Sequence, residues 1–281
     1  MRTVTDVEAM QSYAEEARRE GKVIALVPTM GFLHEGHLSL IRLADEAADV
    51  VVTSIYVNPT QFGPSEDVDQ YPRDIDRDTT LAQQAGTDVL FVPTDKAMYS
   101  QGYQTFVTVE NLTRGLCGAF RPTHFRGVTT IVTKLFNIVR PHISVFGQKD
   151  AQQAIVIKRM TRDLNFDIEI KVAPIVRHED GLAMSSRNKY LTPQQRSQAP
   201  VLYQSLCAAN KMIEEGERNP NVVKKHTKDM IEAIASSKID YIEIVNAETL
   251  EPVREIRGNI LIALAVYIGK ARLIDNILIK V

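Results

Sequence analysis

His34 and His37 stand three residues apart in the stretch VPTMGFLHEGHLSL, Val27 to Leu40. The strand-forming run before them breaks at Pro28, and the apolar spacing of a helix begins just after them. A helix N-terminus carries unpaired N–H groups and a partial positive charge, so it favours an anion such as phosphate. Imidazoles placed there can serve as neutral donors and gain charge as negative charge builds up on a bound phosphate. Gly31 and Gly36 have the spacing of Walker-loop glycines, but His37 stands where that loop needs lysine and Leu38 where it needs Ser or Thr. The three-glycine dinucleotide fingerprint is absent, and HEGH lacks the HExxH spacing of a zinc site. A capped turn with two exposed histidines is the plain alternative.

Three more segments carry side chains suited to polar ligands. In YVNPTQFGPSEDVDQYPRD, Tyr56 to Asp74, Asn58 and Gln61 offer paired amide donors and acceptors for hydroxyls and carboxylates. Pro59 stops the preceding strand, and Phe62 can wall the apolar side of a pocket; a solvated, turn-rich loop is the alternative. In FGQKDAQQ, Gly147 permits close backbone approach and Lys149 offers a point charge for phosphate. Asp150 can cap a helix or hold a ribose hydroxyl, with Gln153 one turn further on the same side. By itself that string is weak evidence, and an ordinary capped helix is its plainer reading. In HEDGLAMSSRNKYL, Ser185, Ser186 and Arg187 can wrap a triphosphate, the guanidinium answering charge on a leaving pyrophosphate. A flexible linker between domains fits there too, and a mobile linker that carries phosphate ligands is a lid.

Strands must deliver these loops. Val23–Val27, the β-branched run Val50–Val57, DVLFVP, Ile143–Phe146 and Ile168–Val172 read as strands. Between them, helical spacing starts at Leu38 and continues over Asp74–Gln84, Val128–Val139 and Ala151–Leu164. This alternation predicts an α/β fold, a Rossmann-like parallel sheet whose ligand lies beyond the carboxyl ends of its strands. Thr29, Asn58 and Gln148 should therefore gather on one rim. Thr192-Pro193-Gln194-Gln195 has the form of a capping box, and helices over about 193–215 and 221–236 precede three apolar strands. A smaller C-terminal α+β domain follows, so the expected division is 1–175, binding the ligands, and 176–281, acting as a lid.

With 281 residues, 44% hydrophobic and 24% charged, the chain has the composition of a globular protein with a sizeable core. A formal charge of −2 argues against nucleic acid as a partner. Cys117 and Cys207 are too few for a disulfide scaffold or a cysteine-rich zinc site. The first twenty residues alternate charges without an apolar signal core. The longest apolar run, Ile260–Gly269, is about half of what a spanning helix needs. No membrane association and a cytoplasmic location are expected.

MGFLHEGH resembles the HxGH element of the class I nucleotidyltransferases, which activate a substrate by attack on the α-phosphate of ATP. Together with the other segments, it is similar to the pantoate–β-alanine ligase family. Four ordered motifs carry the likeness over the first two-thirds of the chain, and it thins after residue 200. The resemblance implies ATP-dependent ligation through pantoyl adenylate, with Mg²⁺ on the triphosphate and no covalent nucleophile. It implies that His34, His37, Lys149 and Arg187 act in catalysis. Met30, Gly31, Gly147, Gln148, Asp150, Val176, Met184, Ser185 and Ser186 would complete the ATP site. It assigns Gln61 and Gln153 to pantoate, with Asn58, Tyr71 and, from RPTHFRGV, Arg121 and His124 on the substrate side. Asp78 and Asp150 are the carboxylates offered for the metal, and a homodimer is expected. Ser185–Arg187 resembles a KMSKS-type loop, with arginine in place of the final basic residue. The rival readings are a nucleotidyltransferase acting on another small cofactor precursor and a non-catalytic nucleotide sensor.

Overall fold

Alternating β-branched and helical segments build a six-stranded sheet in the computed structural model, which describes residues 1–63, 66 and 68–281. Pro64, Ser65 and Asp67, within the loop after the third strand, lie outside the described residues. The strands are β1 (Arg2–Val4), β2 (Ile24–Thr29), β3 (Val50–Ile55), β4 (Val89–Phe91), β5 (Ile143–Gly147) and β6 (Glu169–Ala173). Their order is β1-β4-β3-β2-β5-β6, and every pairing is parallel. The helices among them are α1 (Val7–Arg19), α2 (Glu35–Asp45), α3 (Ile75–Gln84), α4 (Asp95–Met98), α5 (Cys117–Phe120), α6 (His124–Val139) and α7 (Ala151–Asp163).

The sheet is buried on both faces because successive side chains point opposite ways. Ile24, Leu26, Val50, Val52, Val89 and Phe91 pack with Met10 and Ala14 of α1, Val128 and Ile131 of α6 and Ile157 of α7. Ala25, Val27, Val51 and Leu90 pack with Leu40 and Ile41 of α2 and Ala82 of α3. Burying each large aliphatic side chain contributes about 1.5–3 kcal/mol, so these two layers hold the sheet.

The rim expected from sequence forms within this unit. Thr29 pairs in register with Ile55, and Leu26 pairs with Ser144, three residues before Thr29 and Gly147 respectively. The carboxyl ends of β3, β2 and β5 thus lie side by side. The chain moves outward from β2 through β3 to β4 and then returns to the other side of β2 with β5, so β2 and β5 flank the topological switch point.

A second compact unit takes in residues 175–281 and also 112–120 and 149–152. Those two inserted segments are not separable from the sheet unit by composition. Helices α8 (Pro193–Gln198), α9 (Val201–Glu214) and α10 (Pro220–Glu232) precede an antiparallel sheet of β7 (Ser237–Asn246), β8 (Asn259–Ile268) and β9 (Ala271–Lys280). Thr192 and Gln195 form the capping box of α8. The helix expected over about 193–215 is broken instead, because Pro200 has no N–H to continue it. β1 and α1 were not legible as elements; Asp6 caps α1 by accepting from the Ala9 amide at 2.9 Å.

One irregularity shapes the second sheet. Ile239 pairs with Val266 and Tyr241 with Ala265, which leaves Asp240 as an extra residue. The bulge lets Ile239, Ile242 and Ile244 share the core-facing side despite their uneven spacing. The Asp240 carboxylate accepts from Arg272 Nε on β9 at 2.7 Å.

In the first unit, α6 crosses the turn after β3 at Gly127. A Cβ there would stand 2.5 Å from the Thr60 carbonyl and the Gln61 nitrogen. Gly127→Ala is expected to destabilise the protein by about 1–3 kcal/mol, through overpacking against main chain that cannot rotate away. Gly115→Ala, with no atom within 4 Å of its Cβ, is the control that leaves the urea midpoint nearly unchanged. Equal midpoints for the two variants would contradict the close packing.

Candidate active site

The turn after β2 is held from three sides, all within the first unit. Gly31 and Phe32 both have positive φ, 81° and 51°. The Asp78 carboxylate of α3 accepts from the Phe32 amide at 2.6 Å and from the Leu33 amide at 2.7 Å. Thr29 donates its hydroxyl to the Ser54 carbonyl and accepts from the Gly31 amide. Arg77 donates to the Leu33 carbonyl at 2.9 Å. Burial pushes the Asp78 carboxyl above its ordinary range, against the pull of the Leu33 and Phe32 amides and of Arg77.

This turn delivers the two histidines to the start of α2. His34 is the N-cap, its Nδ1 accepting from the Gly36 amide at 3.2 Å, while His37 Nδ1 accepts from the His34 amide at 3.3 Å. The rings lie 4.1 Å apart, centre to centre. A capping box normally pairs Ser or Thr with Glu or Gln; here two imidazoles fill both roles. Because each Nδ1 is an acceptor, each neutral ring carries its proton on Nε2, as a donor.

The β3 turn contributes a connected set. Asn58 is buried, donating from Nδ2 to the Gly127 carbonyl and to Gln61 Oε1, both at 3.1 Å. Its Oδ1 accepts from the Tyr99 hydroxyl at 2.8 Å and the Thr60 hydroxyl at 2.9 Å. These bonds occupy both donors and both lone pairs, so Asn58 has no capacity left for substrate. Gln61 points its Nε2 to Met30 Sδ, at 3.3 Å. Its backbone carbonyl accepts from His124 Nδ1 at 2.9 Å and Arg121 Nη2 at 3.3 Å. Arg121 also donates to Glu66, with Nε 2.7 Å from Oε1. Burial alone would raise the Glu66 carboxyl, but the Arg121 hydrogen bond and charge hold it below its usual range. Tyr71 is buried, edge-on to Phe62 at 6.1 Å. Gly147 ends β5 on the same rim, Gln148 opens the 3₁₀ turn that follows it, and Gln153 lies on the first-unit part of α7.

The second unit holds the remaining candidates. Lys149 Nζ lies 3.6 Å from the half-exposed carboxylate of Asp150, and the Lys149 carbonyl accepts from Asn276 Nδ2 at 3.0 Å. Val176 and Met184 face each other in a hairpin, with the Met184 amide donating to the Val176 carbonyl. Arg177, in the same hairpin, makes a two-pronged pair with buried Asp275 at 2.6 and 2.8 Å. Burial raises the Asp275 carboxyl, opposed by Arg177. Ser185 caps the short 3₁₀ helix Ser186–Tyr190 by accepting from the Arg187 amide at 3.3 Å.

Sequence reasoning missed Asp78 as the anchor of the first turn, and Tyr99, Arg177 and Asp275 altogether. The spacing of Asp78 from its cap Asp74 shows only a helical position, and nothing local in sequence points to residues 32–33. Among the described residues no group of three or more His, Cys, Asp or Glu side chains could hold a metal ion.

Residues 2–278 match the family model described as pantoate-beta-alanine ligase. The chain belongs to the pantoate–β-alanine ligase family. A pantothenate synthetase of Acetivibrio thermocellus is 54% identical over 281 residues, all of both chains. The crystal structure of pantothenate synthetase from Thermus thermophilus is similar with a TM-score of 0.93, at 43% identity and 99% coverage of each chain. A pantoate–β-alanine ligase of Francisella tularensis, complexed with beta-gamma ATP and beta-alanine, matches with a TM-score of 0.80 at 33% identity, over 99% of this chain and 97% of that one. The ligase class and the α/β fold with its small antiparallel C-terminal sheet follow from these matches. Transfer of a nucleotide to another cofactor precursor is not favoured by them.

Asp78→Ala leaves the Phe32 and Leu33 amides without their acceptor, at a cost of about 1–3 kcal/mol for each buried group. Asp78→Asn keeps one acceptor and is expected to lose less stability in urea unfolding, while both variants lose ligase activity. Wild-type activity in a folded Asp78→Ala protein would show that the turn does not need its anchor.

Proposed function

We propose that the enzyme joins pantoate to β-alanine in two steps. Pantoate carboxylate oxygen attacks the α-phosphorus of ATP, forming an O–P bond as the bond to pyrophosphate breaks. The β-alanine amine then attacks the acyl carbon of pantoyl adenylate, AMP leaves with the carboxylate oxygen, and the amine gives up a proton. The observation that carries this reading is the histidine capping box at the switch point: both Nδ1 atoms accept from main-chain amides, so each neutral ring has its N–H at Nε2, the kind of donor a phosphate calls for.

A carboxylate acylates poorly until its oxygen belongs to a good leaving group, and bringing it to a triphosphate sets anion against anion. Positioning and positive charge supply the stabilisation. His34 and His37 donate to phosphate oxygens as charge develops there. Lys149 supplies a point charge, and Arg187 with Ser185 and Ser186 takes up charge on pyrophosphate. Asp150 accepts from ribose, and Met30, Gly31, Gly147, Gln148, Val176 and Met184 line the nucleotide site. Gln61 and Gln153 bind pantoate, with Tyr71 closing the apolar side. Arg121 and His124 hold the Gln61 main chain, and Asn58 orients the Gln61 amide.

Mg²⁺ fits this donor set only as a partner of the triphosphate, which is how that ion usually binds, with Asp150 the protein carboxylate offered to it. When bound it neutralises phosphate charge. Asp78 is unsuited, since both its oxygens serve the backbone turn. The Ser185–Arg187 segment and its unit act as a lid that keeps water from the acyl adenylate. The enzyme works as a homodimer in the cytoplasm; no helix among the described residues is long and apolar enough to cross a membrane.

His37→Ala and Lys149→Ala are each expected to lower turnover at least ~100-fold with the fold intact, the size of losing one transition-state donor. AMP and pyrophosphate release should require ATP, Mg²⁺, pantoate and β-alanine together, whereas pyrophosphate exchange should need pantoate but not β-alanine. Exchange that ignores pantoate would refute the adenylate.

A further inference from the structure

The Gln61 side chain sits at the end of a chain of forced choices. A backbone carbonyl can only accept, so the Asn58 atom 3.1 Å from the Gly127 carbonyl is its nitrogen. The second hydrogen of that nitrogen points to Gln61, whose facing atom must then be Oε1. That leaves Gln61 Nε2, a pure donor, as the polar atom turned toward Met30. A donor suits the acceptor oxygens of a carboxylate; the reversed amide would set oxygen against oxygen.

The Gly127 carbonyl sets which way the Asn58 amide faces, and bonds to its Oδ1 hold it in that place. Two hydroxyls do that, those of Tyr99 and Thr60. Tyr99 is well fixed for the task. Its ring meets Tyr103 edge-on at 5.0 Å, and the Lys134 ammonium lies over it at 5.8 Å. Burial keeps the phenol protonated by raising its pKa, against the Thr60 and Asn58 hydrogen bonds. Tyr99 follows α4, some forty residues from the turn it serves, and lies in no segment the sequence marked for chemistry.

We propose that Tyr99 is a positioning residue for the acid substrate: its hydroxyl, acting through Asn58, holds the Gln61 amide with its N–H side presented to the pantoate carboxylate. This rests on the assignment of Gln61 to pantoate. Tyr99, Thr60, Asn58 and Gln61 all lie outside the set assigned to ATP, so the effect is expected on pantoate.

The test is steady-state kinetics of Tyr99→Phe, which keeps the ring and removes only the hydroxyl. Pantoate KM is expected to rise about five- to tenfold, the effect of one hydrogen bond, with ATP KM and the unfolding midpoint unchanged. Thr60→Val removes the other hydroxyl on the same oxygen and should act in the same selective way. In a Gln61→Ala background, Tyr99→Phe should have no further effect, because the group it orients is gone. Equal rises in the KM of both substrates, or a silent Tyr99→Phe beside a damaging Gln61→Ala, overturns the relay alone. An unchanged pantoate KM in Gln61→Ala overturns the assignment of Gln61 and the relay with it.

Discussion

Phe32 lies in a left-handed conformation immediately after Gly31, and a bulky residue held there costs of order 1–3 kcal/mol. What offsets it is one carboxylate. Asp78 accepts from two consecutive amides, and hydrogen bonds to a charged acceptor contribute about 1.5–3 kcal/mol each. The anchor therefore outweighs the strain, and the turn stays in its tight form. Because the chain leaves β2 in that form, His34 stands as the N-cap of α2 on the rim. The histidine cap and the helix start inherit their geometry from this one buried acid.

The rim could be read in sequence because it depends on local signals. β-branched runs alternating with helical spacing pointed to the parallel sheet, and loops rich in Gly, Asn and Gln marked where its strands end. The histidine pair stood out since neither residue is a usual cap. What could not be read depends on contacts between distant residues. Asn58 has the composition of a ligand, yet Gly127, Gln61, Tyr99 and Thr60 claim its whole amide. Asp78 has the composition of a metal ligand, yet it serves a turn more than forty residues away. α1 was hidden by its charges, since only Met10, Ala14 and Ala17 are buried on it. The break at Pro200 was available from sequence, because proline removes a helical donor wherever it falls.

The second unit shows the same division of labour. Its hairpin at Val176–Met184 is not held by its own turn alone, since Arg177 reaches buried Asp275 on β9 and lies over the Tyr203 ring at 3.7 Å. The neighbouring Asn276 holds the Lys149 carbonyl. Two adjacent residues of one strand thus steady two segments assigned to the nucleotide. A charged residue in the middle of an apolar strand, as in ARLIDNILIKV, is the trace this leaves in sequence.

The bulge at Asp240 has an evolutionary consequence. Loss of that single codon would leave Ile239 opposite Val266 but strip Arg272 of its carboxylate partner, while loss of any one residue within Tyr241–Asn246 would turn the earlier part of the strand over. Insertions and deletions in this lineage should therefore accumulate in the connections between strands and spare the length of β7, even where its exposed side chains drift.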